Sequence, residues 1–160
     1  MLLSPNTGGD PVHARYVHTN LVAHDWHHLA DFYVDVFGCT PVPPERNFTG
    51  PRLEAGTGVP GAHLRGVHLR LPGVGPDGPT LELFNYNILV DEGQKAVNRP
   101  GFGHIAFEVG DVASARKEVL ANGGKAVGEI VTMTTAAGAA VTWCYVTDPE
   151  GNIIELQAWG

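Results

Sequence analysis

Apolar and polar positions follow the same order twice along the chain. Residues 16–22 alternate between polar and apolar side chains, and so do residues 102–109, which predicts a half-buried strand at the start of each half. Each strand is followed by apolar residues at helical spacing, which predicts an amphipathic helix. The stripes are Leu29, Phe32, Tyr33, Val36 and Phe37 in the first helix and Val112, Ala115, Val119 and Leu120 in the second.

The residues at the ends of both helices support this interpretation. Asp25 and Asp111 stand where a side-chain oxygen can accept hydrogen bonds from free N–H groups of the first turn. Gly38 follows the first helix, and residues 122–124 (Asn-Gly-Gly) follow the second, as is typical of helix C-termini. The two halves therefore share a strand–helix beginning.

Further strands are predicted behind each helix. They cover residues 62–71 and 80–84 in the first half and 127–133, 141–146 and 153–158 in the second. We therefore predict an α+β fold of two tandem βαβββ modules that form a curved sheet cleft, with the helices on the outer face. The modules span about residues 13–87 and 101–159 of a single domain, residues 1–160.

The repeat can be followed residue by residue. His18 and His104 begin the two halves 86 positions apart, whereas the P-[DE]-G-x-x-[LI]-E-L motifs that end them, with Glu82 and Glu155, are 73 apart. The first half thus carries about 13 extra residues, which we assign to the Pro- and Gly-rich stretch 40–61. Residues 43–61 resemble a mobile flap over a site, or else a surface loop.

Four polar side chains recur at matching strand positions. Strand alternation places His18, Glu82, His104 and Glu155 on the faces opposite the apolar side chains that meet the helices. A duplication has no packing reason to keep a carboxylate in the middle of an apolar strand. We therefore predict that these four residues converge in the cleft.

Two imidazoles and two carboxylates suit a borderline or hard divalent cation such as Ni, Zn, Co, Mn or Fe. Four protein ligands leave two octahedral positions for two neighbouring substrate oxygens. The cation would act as a Lewis acid that stabilises an enolate or enediolate after proton abstraction next to a carbonyl. The expected base is Glu155 or Glu82, released in part from the cation when the substrate binds.

Charge and cysteine content limit the expected partners and cellular location of the protein. The formal net charge is −7 and the ten basic residues are scattered, so nucleic acid and anionic membranes are not expected partners. Cys39 and Cys144 are 105 positions apart, which predicts reduced, buried thiols and a cytoplasmic location. The first ten residues lack the features of a secretory signal, and no apolar run is long enough to cross a membrane.

The motifs resemble a known family. The runs YVHTNLVAHDWHHLADFYVDVFGC, GFGHIAFEV, LELFNYN and DPEGNIIEL look like the glyoxalase, bleomycin-resistance and dioxygenase group, also called the vicinal oxygen chelate superfamily, over about residues 13–159. The resemblance implies paired βαβββ modules, a homodimer and one metal ion held by His18, Glu82, His104 and Glu155. In such relatives the site lies either within one chain or across two, and the sequence leaves this open.

Glu82 indicates which members of this family the chain resembles most in its ligand set. Dioxygenases and fosfomycin enzymes of this fold leave that ligand position empty, so the resemblance favours a metal-dependent lyase or isomerase for a small vicinal-oxygen substrate, similar to glyoxalase I (lactoylglutathione lyase). Alternatives are a methylmalonyl-CoA-type epimerase, an extradiol-type dioxygenase or a non-catalytic antibiotic-binding protein. Val22 and Tyr86 stand where glyoxalase I has its glutathione-contacting Arg and Asn, which argues against glutathione. Gly56 stands where the epimerase has a second Glu, with Glu54 nearby.

Other polar and aromatic residues have two interpretations each. The remaining N-terminal histidines, His13, His24, His27 and His28, are expected on the surface. His63 and His68 lie on opposite faces of one predicted strand, where one of them could hold an anionic substrate together with Arg65 or Arg70. Trp143 and Tyr145 share a strand face and form either a pocket wall or ordinary core.

Overall fold

The computed structural model describes residues 12–91 and 93–160, and the expectation about a secretory signal concerns residues that lie outside these ranges. Eight strands and three helices are formed by the described residues. In chain order they are β1 (His18–Val22), α1 (Trp26–Phe37), β2 (Thr40–Thr49), α2 (Pro51–Thr57), β3 (His63–Arg70), β4 (Thr80–Tyr86), β5 (Ile105–Glu108), α3 (Val112–Ala121), β6 (Lys125–Thr134), β7 (Ala140–Thr147) and β8 (Ile153–Trp159).

The strands form two four-stranded sheets with the same topology. The orders are β1-β4-β3-β2 and β5-β8-β7-β6, with the first strand of each module parallel to the last and the other pairs antiparallel. This confirms the predicted α+β fold of tandem βαβββ modules. The two sheets are not hydrogen-bonded to each other: in the part of the chain that the structure describes, β1 pairs only with β4, and β5 only with β8.

One hydrophobic core joins the modules. Helix α1 contacts β3 and β4, α3 contacts β6, β7 and β8, and the two helices touch each other. The rings of Phe37 on α1 and Phe107 on β5 stack with centroids 4.1 Å apart, so the helix of the first module also packs on the sheet of the second. The helix-bearing faces of both sheets therefore point towards shared apolar contacts, and their other faces point away.

The helix ends match the sequence pattern. The Asp25 and Asp111 side chains accept hydrogen bonds from the backbone N–H groups of His28 and Ser114, at 3.0 and 2.8 Å. Gly38 ends α1 with a left-handed φ of 69°, which glycine adopts without steric cost. The prediction that Leu120 faces inward is wrong, because its side chain is 44% exposed while Val112 and Val119 of the same helix are buried.

The extra residues of the first module are divided between two places. Register matches His68 with Tyr145, 77 positions apart, so nine of the 13 additional residues lie before β3 and four lie between β3 and β4. Stretch 40–61 is therefore not the whole insertion. Nor is 43–61 an irregular loop: β2 runs to Thr49, and the short helix α2 follows. Prolines are tolerated in β2 because it is an edge strand with a register shift between Val42 and Arg46.

Two smaller expectations concern the cysteines and membrane spans. Cys39 and Cys144 are both free and buried, as predicted, and burial raises the pKa of the Cys39 thiol to about 11. Within residues 12–91 and 93–160, no helix is both long enough and apolar enough to span a bilayer.

Candidate metal centre

The four predicted ligands form two histidine–glutamate pairs, one on each sheet. In the first module His18 Nε2 lies 3.7 Å from Glu82 Oε1, and in the second His104 Nε2 lies 2.9 Å from Glu155 Oε2. His18 begins β1, Glu82 lies on β4, His104 immediately precedes β5, and Glu155 lies on β8. Both pairs therefore sit where the first and last strands of a module run side by side.

The two pairs do not combine into one site within this single chain. Among residues 12–91 and 93–160, no three His, Cys, Asp or Glu side chains are arranged so that they could hold a metal ion. The type of donor suits a divalent cation, since imidazole nitrogens and carboxylate oxygens are its usual ligands. Each module thus brings together one imidazole and one carboxylate.

A cavity of about 770 Å³ runs along the first strand of both modules. Its lining includes Tyr16, His18, Asn20, Phe102 and His104, whereas Glu82 and Glu155 do not line it. Both faces of β1 contribute, because Thr19 and Leu21 line the cavity together with His18 and Asn20. The cavity therefore borders the edge of β1 that carries no hydrogen-bonded neighbour among the described residues.

Glu82 is held by polar side chains on both neighbouring strands. Asn20 on β1 and His68 on β3 stand directly opposite it in the register. Asn20 Nδ2 donates to Glu82 Oε1 at 3.0 Å, and His68 Nε2 lies 2.7 Å from Glu82 Oε2. Glu82 is only 8% exposed, so these contacts satisfy a carboxylate with little access to water.

Glu155 has different neighbours. Ala106 on β5 and Tyr145 on β7 occupy the positions that match Asn20 and His68. In the described residues, the Glu155 carboxylate has one polar side-chain contact, His104. Tyr145 packs beside that histidine instead, with ring centroids 5.0 Å apart. The second carboxylate is therefore less constrained than the first.

His68 has a perturbed pKa. Burial lowers it most, the Glu82 carboxylate opposes this shift, and electrostatic repulsion by the neighbouring Arg46 and His18 lowers it further. A neutral imidazole still carries one N–H, and a carboxylate can only accept. The contact with Glu82 is therefore a hydrogen bond donated by His68 Nε2.

The aromatic pair of the second module lies on the face of the sheet that carries Glu155. Trp143 and Tyr145 are half-buried and their ring centroids are 5.1 Å apart. Register places them opposite Gln157 and Glu155 on β8, away from the core residues Cys144 and Val146. They form a wall beside the second pair rather than part of the hydrophobic core.

The other histidines and the two arginines of β3 have structural surroundings. His13, His24, His27 and His28 are exposed, as expected. His24 also bridges Glu150 and Asp91, at 2.9 and 3.0 Å. Arg65 donates to His63, and Arg70 donates to the Pro76 carbonyl. The anionic group beside His68 is a carboxylate of the protein itself.

The positions compared with glyoxalase I and the epimerase are also placed. Val22 ends β1 and Tyr86 ends β4. The amides on either side of Tyr86 hold loops in place: Asn85 donates to the carbonyl oxygens of Ala23 and His24, and Asn87 donates to that of Gly61. Glu54 and Gly56 lie on α2, which packs against β2. Asn20 received no assignment from the sequence, because a polar residue on an exposed strand face gives no sign of its cross-strand partner until the register is known.

The chain is similar to known proteins in sequence and in fold. The model of the Glyoxalase/Bleomycin resistance protein/Dioxygenase superfamily matches residues 15–156. A glyoxalase family protein from Bacillus cereus is 18% identical, with a TM-score of 0.72 over 96% of this chain and 98% of that one. Glyoxalase I from Leishmania major is 23% identical, with a TM-score of 0.59 over 91% and 87%. A glyoxalase I mutant from Zea mays is 23% identical, with a TM-score of 0.58 over 89% and 44%.

No curated protein matches the chain. The structural likenesses are all below 25% identity and establish the fold, whereas the family model spans nearly the whole chain. Together with the repeated His–Glu pairs, this match identifies the chain as a member of the Glyoxalase/Bleomycin resistance protein/Dioxygenase superfamily.

Proposed function

We propose that the protein is a metal-dependent lyase or isomerase whose site forms between two copies of the chain. His18 and Glu82 of one copy and His104 and Glu155 of the other would hold one divalent cation. The observation that carries the proposal is the presence of two His–Glu pairs at repeat-related positions, on faces that point away from the core. A shared core or a common fold does not require either pair.

The chemistry follows from the donor set. A bound divalent cation supplies Lewis-acid stabilisation of negative charge that develops on a substrate oxygen. Glu155 is the proposed base: its carboxylate takes a proton from the carbon next to a carbonyl and returns it to the same or the neighbouring carbon. A base needs freedom to approach the proton, and Glu155 contacts one polar side chain where Glu82 contacts three.

The walls of the site fit a small organic substrate. Trp143 and Tyr145 offer aromatic surface beside Glu155. In the first module, Phe84 lies beside His68, with ring centroids 5.9 Å apart. Such surfaces exclude water from a reacting carbon, while the polar groups orient the oxygens.

A second copy of the chain is the proposed source of the other half of the site. The outer edges of β1 and β5 have no strand neighbour in the described part of the chain, and unpaired strand edges tend to acquire partners. Apolar side chains flank them: Tyr16 is 65% exposed, Val17 54%, and Phe102 fully. A partner that places its β5 edge beside this β1 edge would cover these side chains and bring the two half-sites together.

Mixing two variants tests the proposal. His18→Ala disables the first half-site and His104→Ala the second. In a mixed dimer of the two, one shared site combines both defects, while the other is intact. We expect cobalt titration of purified mixed dimers to give one tight ion per dimer, and each variant dimer to give none. The wild type is the control, with an expected two ions per dimer.

Other outcomes contradict parts of the proposal. If tight binding is absent from the mixed dimer and present in the wild type, the site lies within one chain. If the wild type binds no cation, the enzyme assignment fails in favour of a non-catalytic binding protein of the same family. If the wild type does bind the cation, screening α-ketoaldehydes with thiols, and acyl-CoA esters for epimerisation, defines the reaction.

A further inference from the structure

Three side chains lie in one row across the first sheet. Asn20 on β1, Glu82 on β4 and His68 on β3 are direct register partners, so their side chains share a face. Both Glu82 oxygens are engaged, Oε1 by Asn20 Nδ2 at 3.0 Å and Oε2 by His68 Nε2 at 2.7 Å. The carboxylate is therefore held from both sides, and His18 lies 3.7 Å from Oε1.

The His68 ring is itself fixed. Its Nδ1 lies 3.4 Å from the Thr80 hydroxyl, so each ring nitrogen faces a polar group. The rings of His18 and Phe84 stand edge-on to it, with centroids 5.8 and 5.9 Å away. A ring restrained in this way presents its Nε2–H to Glu82 in one direction. Hydrogen bonds of this kind set the orientation of metal-ligating carboxylates.

The second module lacks this arrangement. Ala106 and Tyr145 are the register partners of Glu155, and neither donates a hydrogen bond to its carboxylate in the described structure. The ligand positions are repeated between the modules, but their cross-strand neighbours are not. The hydrogen-bonded row therefore belongs to Glu82 alone.

We propose that His68 and Asn20 are positioning residues that hold the Glu82 carboxylate in the orientation in which it ligates the cation. The inference rests on the proposed function and extends it. Glu82 is then the fixed carboxylate of the site, and Glu155 the one free to change partners. Neither His68 nor Asn20 is a ligand in this arrangement.

Cobalt binding by the full-length protein is the test, with affinity from titration and ligand geometry from the visible absorption bands. In His68→Leu the donor is lost, and we expect the affinity to fall about 10–100-fold, as for other hydrogen-bond partners of metal ligands. Asn20→Ala is expected to lower it in the same direction. In His68→Gln an amide N–H replaces Nε2–H, and we expect affinity and absorption bands close to the wild-type values.

The matched control is His63→Gln, five residues away on the opposite face of the same strand, where the side chain contacts Asn47. It is expected to bind cobalt like the wild type. Circular dichroism of each cobalt-free variant reports whether the fold is intact, which separates a positioning role from loss of structure.

Three results would overturn the inference. Unchanged affinity in both His68→Leu and Asn20→Ala would show that the hydrogen bonds do not matter. A His68→Gln variant as weak as His68→Leu, with altered absorption bands, would make His68 a ligand rather than a positioning residue. Absence of tight cobalt binding in the wild type would instead overturn the proposed function, and this inference with it.

Discussion

The two modules share one fold and carry a His–Glu pair at matching positions, but the surroundings of their carboxylates differ. In the first module Glu82 is 8% exposed and hydrogen-bonded by side chains from both adjacent strands. In the second, Glu155 is more open and contacts His104. A duplicated scaffold can keep its His–Glu pairs while the residues one strand away diverge, and under the proposed function this divergence would give two chemically equal carboxylates different roles.

The aromatic side chains near the two His–Glu pairs also differ between the modules. In the first module the Phe84 ring lies over Gly66, where an added Cβ would clash with the ring. In the second, register matches Gly66 with Trp143 and Phe84 with Gln157. The large ring has moved from the last strand to its neighbour. Both sheets therefore keep an aromatic ring on the same face as the His–Glu pair, but on different strands.

The largest expected effect tests the inequality of the two carboxylates. Glu155→Gln keeps an oxygen donor but cannot accept a proton, so we expect turnover to fall about 10²–10⁴-fold with the cation still bound. Glu82→Gln keeps a donor at a fixed position and should retain most turnover. The measurement is kcat on the substrate found by screening, with metal content determined in parallel. Equal losses in the two variants would contradict the assignment of Glu155 as the base.

Much of this comparison could be predicted from the sequence. Helix caps at Asp25 and Asp111 and the paired strands follow from local patterns, because periodicity and capping act within a few residues. The His–Glu positions follow from the repeat. The Asn20–Glu82–His68 row could not be predicted, because it depends on strand register across positions far apart in the chain.

Other features of the fold could not be predicted from the sequence because they depend on tertiary contacts. Three prolines obscure the alternation of β2, and only its position at the sheet edge makes them tolerable. Leu120 fits the helical stripe by spacing but is exposed, whereas its neighbour Val119 is fully buried. How the two sheets pack is likewise set by tertiary contacts such as that between Phe37 and Phe107.

A second difference concerns the turns before the last strands. Asp148 is 1% exposed and accepts hydrogen bonds from the backbone of Glu150 and Asn152, the Asn152 amide and the Tyr33 hydroxyl. Burial raises its pKa, and these hydrogen bonds oppose that shift. The matching residue of the first module is Gly75, so among the described residues only the second turn is tied to α1 by such a side chain.

Removing this tie should lower stability. Asp148→Ala leaves the Tyr33 hydroxyl and the turn amides without their partner, and we expect the free energy of unfolding to fall by about 2–4 kcal/mol. Asp77→Ala, in the equivalent exposed turn of the first module, is the control and should change it by less than about 0.5 kcal/mol. Urea denaturation measures both. Similar losses in the two variants would refute the distinction between the turns.

The smallest expected effect concerns a pH-dependent contact between the modules, the ionic bridge made by His24. His24, two residues after β1, bridges Glu150 of the second module and Asp91, and Lys95 donates to the Glu150 carbonyl nearby. Hydrogen bonds to Glu150 and Asp91, and then the negative charges of these two carboxylates, raise the pKa of His24 above its usual 6.5. The matching position of the second module is Gly110, so this bridge has no counterpart.

The direction of the pH dependence of stability follows from the raised pKa of His24. The bridge contributes its full stabilisation below about pH 6.5, where His24 is protonated even in the unfolded chain, and loses it as the pH rises through the higher folded-state pKa. His24→Gln should therefore show a smaller loss of stability between pH 6 and pH 8.5 than the wild type, with His13→Gln as an exposed control. Because the pair is exposed, the difference will be small and should shrink further in high salt. Identical pH profiles for wild type and His24→Gln would mean that the modules are held together by their shared core and by the Asp148 tie, with no contribution from this bridge.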